Sequence, residues 1–241
     1  MNLGLIGFPL THSFSKKYFE EKFLREHIQN VTYDLFPLQS IQELPLLISQ
    51  HNLFGLNVTI PHKESVLKFC NHVSKEVEAI GATNCLKISD NKIAAFNTDI
   101  IGFEKCIKPL LQLHHTSALI LGTGGSSKAV QYVMKKLGIA ASLVSREKIE
   151  NGFTYTALND SIVEAHTIIV NTTPAGMFPN IKAMPLIPYN AISHRHLVVD
   201  LIYNPAQTLF LHTAQTQGAV TKSGLEMLEI QAEESWKIWS E

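Results

Sequence analysis

The sequence predicts an α/β protein in two parts: an N-terminal strand–helix mixture, and a doubly wound second part built on a parallel sheet. Three observations predict it. SALIL, residues 117–121, is a continuous apolar run of strand length that feeds the glycine-rich GTGGSSKA and then helical text, the opening of a doubly wound sheet. Short apolar segments recur at 141–144, 167–170 and 197–200, as expected of parallel strands covered on both faces. Before them, residues 1–100 alternate strand-like and helix-like text and end at Asn97-Thr98-Asp99.

Taken in order, residues 3–7 read as a first strand and 14–28 as a helix, with Phe14, Tyr18, Phe19, Phe23, Leu24 and Ile28 at helical spacing. Residues 31–36 read as a strand, 41–50 as a helix and 55–60 as a third strand. Pro61 lacks the N–H that a central ladder needs, so that strand stops there. Helical text follows at 64–69 and 75–80. Segments 85–88 and 92–96, split by Ser89-Asp90-Asn91, read as a hairpin. A helix over 100–113 leads into SALIL, and another runs from the glycine loop to residue 137. Residues 225–239 form a closing amphipathic helix.

The bulk numbers narrow the function classes. A chain of 241 residues is long enough for a sizeable core in one or two domains. Formal net charge is −1 with no basic stripe, which argues against nucleic acid or an acidic membrane surface as main partner. Mean hydropathy is +0.07, no apolar run approaches the roughly 20 residues of a membrane span, and the N-terminus lacks the basic region of an export signal. Three cysteines, Cys70, Cys85 and Cys106, form no CxxC pair and suit a reducing compartment. A soluble, cytoplasmic protein is expected. Eleven histidines occur, but His114-His115 and His194-x-His196 lack ligand-spaced partners, so no metal site is expected.

Two stretches carry chemistry. In GTGGSSKA, Gly122 permits the tight turn, Gly124 allows close backbone approach to a pyrophosphate, and Gly125 keeps the helix start clear; Thr123 and Ser126 complete the loop. Ser127 stands where a third glycine is usual, and Ala129 permits helix–strand packing. The next strand ends in Ser145-Arg146 and not in the carboxylate that holds a ribose 2′-hydroxyl. A guanidinium there clamps a 2′-phosphate and favours NADP, although Glu147 follows it directly. The other stretch is GLNVTIPHK, which sets Lys63 at the mouth of a buried strand, a place for chemistry or for a solvated surface lysine.

Eight motifs in order resemble those of the shikimate dehydrogenase family: GFPLTHSFS (7–15), GLNVTIPHK (55–63), GATNC (81–85), FNTDIIGF (96–103), GTGGSSKA (122–129), NTTPAGM (171–177), DLIYNP (200–205) and GLEMLEIQA (224–232). The resemblance spans nearly the whole chain. It implies NADPH-dependent, reversible reduction of 3-dehydroshikimate to shikimate. It also implies an N-terminal α/β substrate domain over 1–100, a Rossmann-like NADP-binding domain over 101–223, and a last helix over 224–241 that returns to the first domain. Ser13 and Ser15 then match the hydroxyls on the substrate carboxylate. Thr59, Lys63, Asn84, Asp99 and Gln231 match positions around the ring hydroxyls, and Tyr203 matches a tyrosine closing over the carboxylate end. Met227 matches a side chain packed near the nicotinamide. Gly122, Thr123, Gly124, Gly125, Ser126, Ser145, Arg146 and Thr172 fall to the cofactor.

Hydride reduction of a carbonyl creates an alkoxide that needs a proton donor, and Lys63 paired with Asp99 is the expected shuttle and orienter. A purely structural role for Asp99, as N-cap of the following helix, fits the same position. The chain departs from the family at Lys16-Lys17, where a proline is usual, at Phe8 in place of asparagine and at Ser145 in place of asparagine. About 25 residues from Arg146 to Asn171 make a short connection, so a helix there is expected to be missing or reduced. A quinate/shikimate dehydrogenase using NAD is the alternative within the class, and a non-catalytic nucleotide- or metabolite-sensing protein the alternative outside it. A small molecule is the expected partner, and the residues do not choose between monomer and homodimer.

Overall fold

The computed structural model describes residues 1–10 and 13–241; Thr11 and His12 of the GFPLTHSFS stretch lie outside the described residues. Contacts divide the chain into two compact units, Met1–Ile101 with Glu229–Glu241, and Gly102–Leu228.

The first unit opens β1 (Asn2–Gly7), α1 (Phe14–Arg25) and β2 (Thr32–Pro37). A 3-10 turn at Ile41–Glu43 runs into α2 (Leu44–His51), followed by β3 (Leu53–Val58), a 3-10 turn at Ser65–Phe69, β4 (His72–Val73) and α3 (Lys75–Ile80). Then come the hairpin strands β5 (Cys85–Ser89) and β6 (Lys92–Phe96), and α4 (Thr98–Ile107). The sheet order is β2-β1-β3-β5-β6-β4, parallel among β2, β1 and β3 and antiparallel across β3-β5-β6.

The second unit contains β7 (Ser117–Leu121), α5 (Gly125–Lys136), β8 (Ala140–Ser145), β9 (Gly152–Thr154), α6 (Asp160–Ala165), β10 (Ile168–Asn171), β11 (Leu197–Asp200), α7 (Leu209–Thr216) and β12 (Val220–Ser223). The last helix, α8, is Leu225–Ser240. All pairings in the second sheet are parallel, in the order β9-β8-β7-β10-β11-β12. Counted within the unit this is 3-2-1-4-5-6, the doubly wound order that reverses direction between β7 and β10. Ala118–Leu121 and Ile168–Asn171 are fully buried, as a strand with helices on both faces requires.

Several boundaries differ from the periodicity for local reasons. The segment read as helical over 64–69 forms a 3-10 turn, Ser65–Phe69, with Cys70 N–H closing on Leu67 O. The helix read over 100–113 begins earlier, at Thr98, and its α portion ends at Ile107, because Pro109 lacks the donor to continue. The connection after Arg146 holds one helix of 6 residues, α6, capped by the Asn159 side chain on Ile162 N–H.

The first unit's core fixes α8 closely. Phe19 stacks on Tyr33 at 4.4 Å between centroids, and the Trp239 ring lies 5.5 Å from Phe19. Trp239 Nε1 donates to Leu86 O at 2.9 Å. Gly55 makes room for it: a Cβ there would sit 2.4 Å from the indole. Buried Lys22 on α1 bonds both oxygens of Glu233 on α8, at 3.0 and 2.8 Å, and Tyr18 donates to the same carboxylate at 2.5 Å. Lys22 also bonds both oxygens of Glu26, at 2.9 and 2.8 Å, so the buried ammonium is held between two carboxylates.

Candidate active site

The turn after β3 presents Lys63. Thr59 N–H still bonds Ile6 O across the sheet, then Pro61 ends the ladder and His62 N–H turns back to Thr59 O at 2.9 Å. Two anchors hold the turn. The buried His62 ring bonds Leu38 O at 2.8 Å, and Lys63 O accepts Thr83 N–H at 2.8 Å. The Lys63 ammonium therefore faces inward, 13% exposed, and donates to Asp99 Oδ2 at 2.5 Å.

Asp99 lies in the first turn of α4, and its carboxylate is not the cap. Asn97 Oδ1 takes the Ile100 N–H at 3.3 Å, which frees Asp99 to point at its neighbours. Asn84 Nδ2 donates to Asp99 Oδ1 at 2.9 Å and reaches Thr98 Oγ1 at 2.9 Å and Gln231 Oε1 at 3.3 Å. Asn84 Oδ1 accepts Thr98 N–H at 2.7 Å, so the carboxamide cannot turn over without losing that bond. Lys63, Asn84, Asp99 and Gln231, from four separate parts of the chain, thus meet in one buried polar group. Charge-assisted bonds to a carboxylate are the short, strong ones. The arrangement can hand a proton to an adjacent oxygen and orient hydroxyls around it.

Ser13 occupies the N-cap position of α1, yet its hydroxyl makes no capping bond. Among the described residues, Ser13 Oγ is the one buried side-chain polar atom without a partner, and such an atom fits a ligand that is to supply one. Ser15 acts on the Tyr33 phenol, lowering its pKa against the much larger upward push of burial. Thr59 is half-buried beside Gly7. Cys85, also in the core, is pushed by burial up to about 12 and stays a neutral thiol.

In the second unit the glycine loop follows β7, at the point where the sheet order reverses. Gly122 has φ 109°, and a Cβ there would meet Thr172 Oγ1 at 2.8 Å and Thr173 Cγ2 at 2.9 Å; only glycine suits both demands. Thr172 Oγ1 donates to Leu121 O at 2.7 Å, so this hydroxyl braces the loop. Gly124 is the N-cap of α5 with no side-chain cap, no acidic residue in the first turn, and open space where a Cβ would stand. A helix N-terminus without a side-chain cap, facing open space, fits the pyrophosphate of a dinucleotide. Ser145 closes β8 and accepts Glu147 N–H at 3.3 Å. Arg146 is exposed, and its charge draws down the Tyr155 phenol, which burial raises. Tyr203 lies half-buried in the loop after β11, and Met227 is buried in the first turn of α8.

Four residues that shape the site were not singled out from the sequence. Thr98, in the quoted FNTDIIGF, and His62, in GLNVTIPHK, stood next to chosen residues. Asn57, in the same GLNVTIPHK, and Ser235, on the closing helix, were missed because a buried amide and a helix serine show their partners only in the fold.

Known proteins resemble this chain over nearly its whole length. Residues 5–86 match the family model described as shikimate dehydrogenase substrate binding domain. A relative named shikimate dehydrogenase (NADP(+)), from Methanococcus maripaludis, is 34% identical over 255 residues, covering 99% of this chain and 91% of the relative. The crystal structure of shikimate dehydrogenase 1 from Peptoclostridium difficile superposes with a TM-score of 0.86 at 32% identity, covering 99% of this chain and 91% of that one. The Thermus thermophilus shikimate 5-dehydrogenase, solved in complex with NADP(H) and shikimate, gives a TM-score of 0.88 at 25% identity, covering 100% and 93%.

Proposed function

This chain belongs to the shikimate dehydrogenase family, and from that premise we propose that it catalyses the reversible, NADPH-dependent reduction of 3-dehydroshikimate to shikimate. The observation that carries the reading is the Lys63 ammonium held 2.5 Å from the Asp99 carboxylate, with the Asn84 amide on the other oxygen of that carboxylate.

Residues 1–100 are the substrate domain, 101–223 the NADP domain, and 224–241 the helix that brings Gln231 to the substrate. NADPH, when bound, supplies the hydride. Lys63 Nζ gives its proton to the alkoxide oxygen that reduction leaves, and takes one from the shikimate hydroxyl in reverse. Asp99 keeps the ammonium in place and balances its charge while the proton moves. Asn84, Gln231 and Thr59 hold the ring hydroxyls. The Ser13 and Ser15 hydroxyls donate to the substrate carboxylate, and Tyr203 closes on that end. Gly122, Thr123, Gly124, Gly125 and Ser126 cradle the pyrophosphate while Thr172 braces the loop. Ser145 and Arg146 take the 2′-phosphate, and Met227 packs beside the nicotinamide.

Initial rates with 3-dehydroshikimate and NADPH or NADH, and with shikimate or quinate in reverse, test the reading. One guanidinium bond of about 1.5–3 kcal/mol makes NADPH preferred by about one to two decades, with shikimate as the reverse substrate. Equal efficiency with NADH contradicts the cofactor assignment, and turnover of quinate alone contradicts the substrate.

A further inference from the structure

Ser235 lies on α8 one turn beyond Gln231, with none of its surface exposed. Its hydroxyl has one proton and two lone pairs to place. Gln231 O at 2.9 Å can only accept and Asn57 Nδ2 at 3.0 Å can only donate. The Cys85 thiol also hydrogen-bonds Ser235; with the Ser235 proton on Gln231 O, Thr98 Oγ1 at 3.1 Å donates to Ser235. With its proton so committed, Thr98 Oγ1 turns a lone pair to Asn84 Nδ2 at 2.9 Å. The second hydrogen of that amide is the one on Asp99 Oδ1.

The chain continues away from Ser235. Asn57 gives its other hydrogen to Asn84 O at 3.2 Å, and its Oδ1 accepts the Tyr33 hydroxyl at 2.8 Å, which fixes the orientation of the amide. Tyr33 in turn is the phenol on which Ser15 acts. Tyr33, Asn57, Ser235, Thr98 and Asn84 are each 5% exposed or less, so water does not substitute for a missing member.

We propose that Ser235 is a positioning residue: its hydroxyl sets the direction of an unbroken hydrogen-bond chain from Tyr33, beside the carboxylate-binding serines, to Asp99 of the proton-transfer pair. This rests on the reaction proposed above. Without that hydroxyl the Thr98 proton turns to Asn84 Oδ1 at 3.3 Å or Gln231 Oε1 at 3.5 Å, and either choice disturbs the amides that orient Asp99 and the ring hydroxyls.

The test is steady-state kinetics of the full chain with shikimate and NADP. Ser235→Ala lowers kcat about three- to tenfold, the worth of about one hydrogen bond, while KM for NADP stays within about twofold. Tyr33→Phe, which leaves Asn57 Oδ1 without its donor, also lowers kcat. The double variant is no slower than the poorer single variant, because both cuts fall on one chain. If Ser235→Ala fails to fold, Ser235→Cys, similar in shape with a weaker donor and acceptor, is read by the same criterion. A kcat that matches the parent, whatever the melting temperature does, overturns the inference, and so do fully multiplicative effects in the double variant. A parent that does not turn over shikimate overturns the reaction reading itself, and this inference with it.

Discussion

Ser13 shows what a single residue adds to a motif. Serine before a helix reads as an N-cap, and the position is indeed the N-cap of α1, but the hydroxyl leaves the backbone alone and stays buried without a partner. Its lack of a partner is a property of the tertiary surroundings, so the sequence could offer Ser13 as a ligand only through resemblance. A hydroxyl that donates to a carboxylate is worth about 1.5–3 kcal/mol. Ser13→Ala is therefore expected to raise KM for shikimate by about one to two decades with kcat changed far less. A KM equal to the parent's, measured by initial rates, contradicts the role. Lys63 was easier to find, because Pro61 marks the strand end and the lysine follows at once. Its pairing with Asp99, 36 residues on, is a contact that only the fold supplies.

Among elements, the continuous apolar strands were the legible ones. Residues 117–121 and 197–200 have the same bounds in sequence reading and structure, since strands covered on both faces read as continuous apolar runs. Helices α6 and α7, with 6 and 8 residues, escaped notice because so short a run scarcely completes one apolar period. The end of β11 joins these parts. Buried Asp200 accepts Asn171 Nδ2 at 3.0 Å, Ile202 N–H at 3.1 Å and the hydroxyl of Thr208, the α7 cap, at 2.6 Å. Burial raises its pKa to about 6 against the downward pull of those three bonds. In the unfolded chain the group titrates near about 3.9. Between those values the folded protein holds a proton that the unfolded chain has lost, so stability falls as pH rises from about 4 to about 6. Relative to Asp200→Asn, the parent is expected to lose on the order of 2 kcal/mol across that window. Urea midpoints read at several pH values check it, and a difference independent of pH contradicts it.

At the scale of the whole molecule, the order of eight motifs was enough to indicate the family. The glycine loop with its flanking strand and helix was enough to indicate a doubly wound second part. The packing of α8 was not legible from its own residues. Its periodicity makes it a helix, but Trp239 over Gly55 and Glu233 on Lys22 are what tie residues 229–241 to the first unit. Through that tie Gln231 reaches Asn84 and Ser235 reaches Thr98, the neighbours of Asp99. In the reaction proposed above, the Lys63–Asp99 pair moves the proton while NADPH supplies the hydride. The most direct measurement is turnover of Lys63→Ala in both directions, beside a melting curve that reports an intact fold. The expected kcat is lower by about 10²- to 10⁴-fold. Turnover within about threefold of the parent, too small for the loss of a general acid–base group, would contradict it.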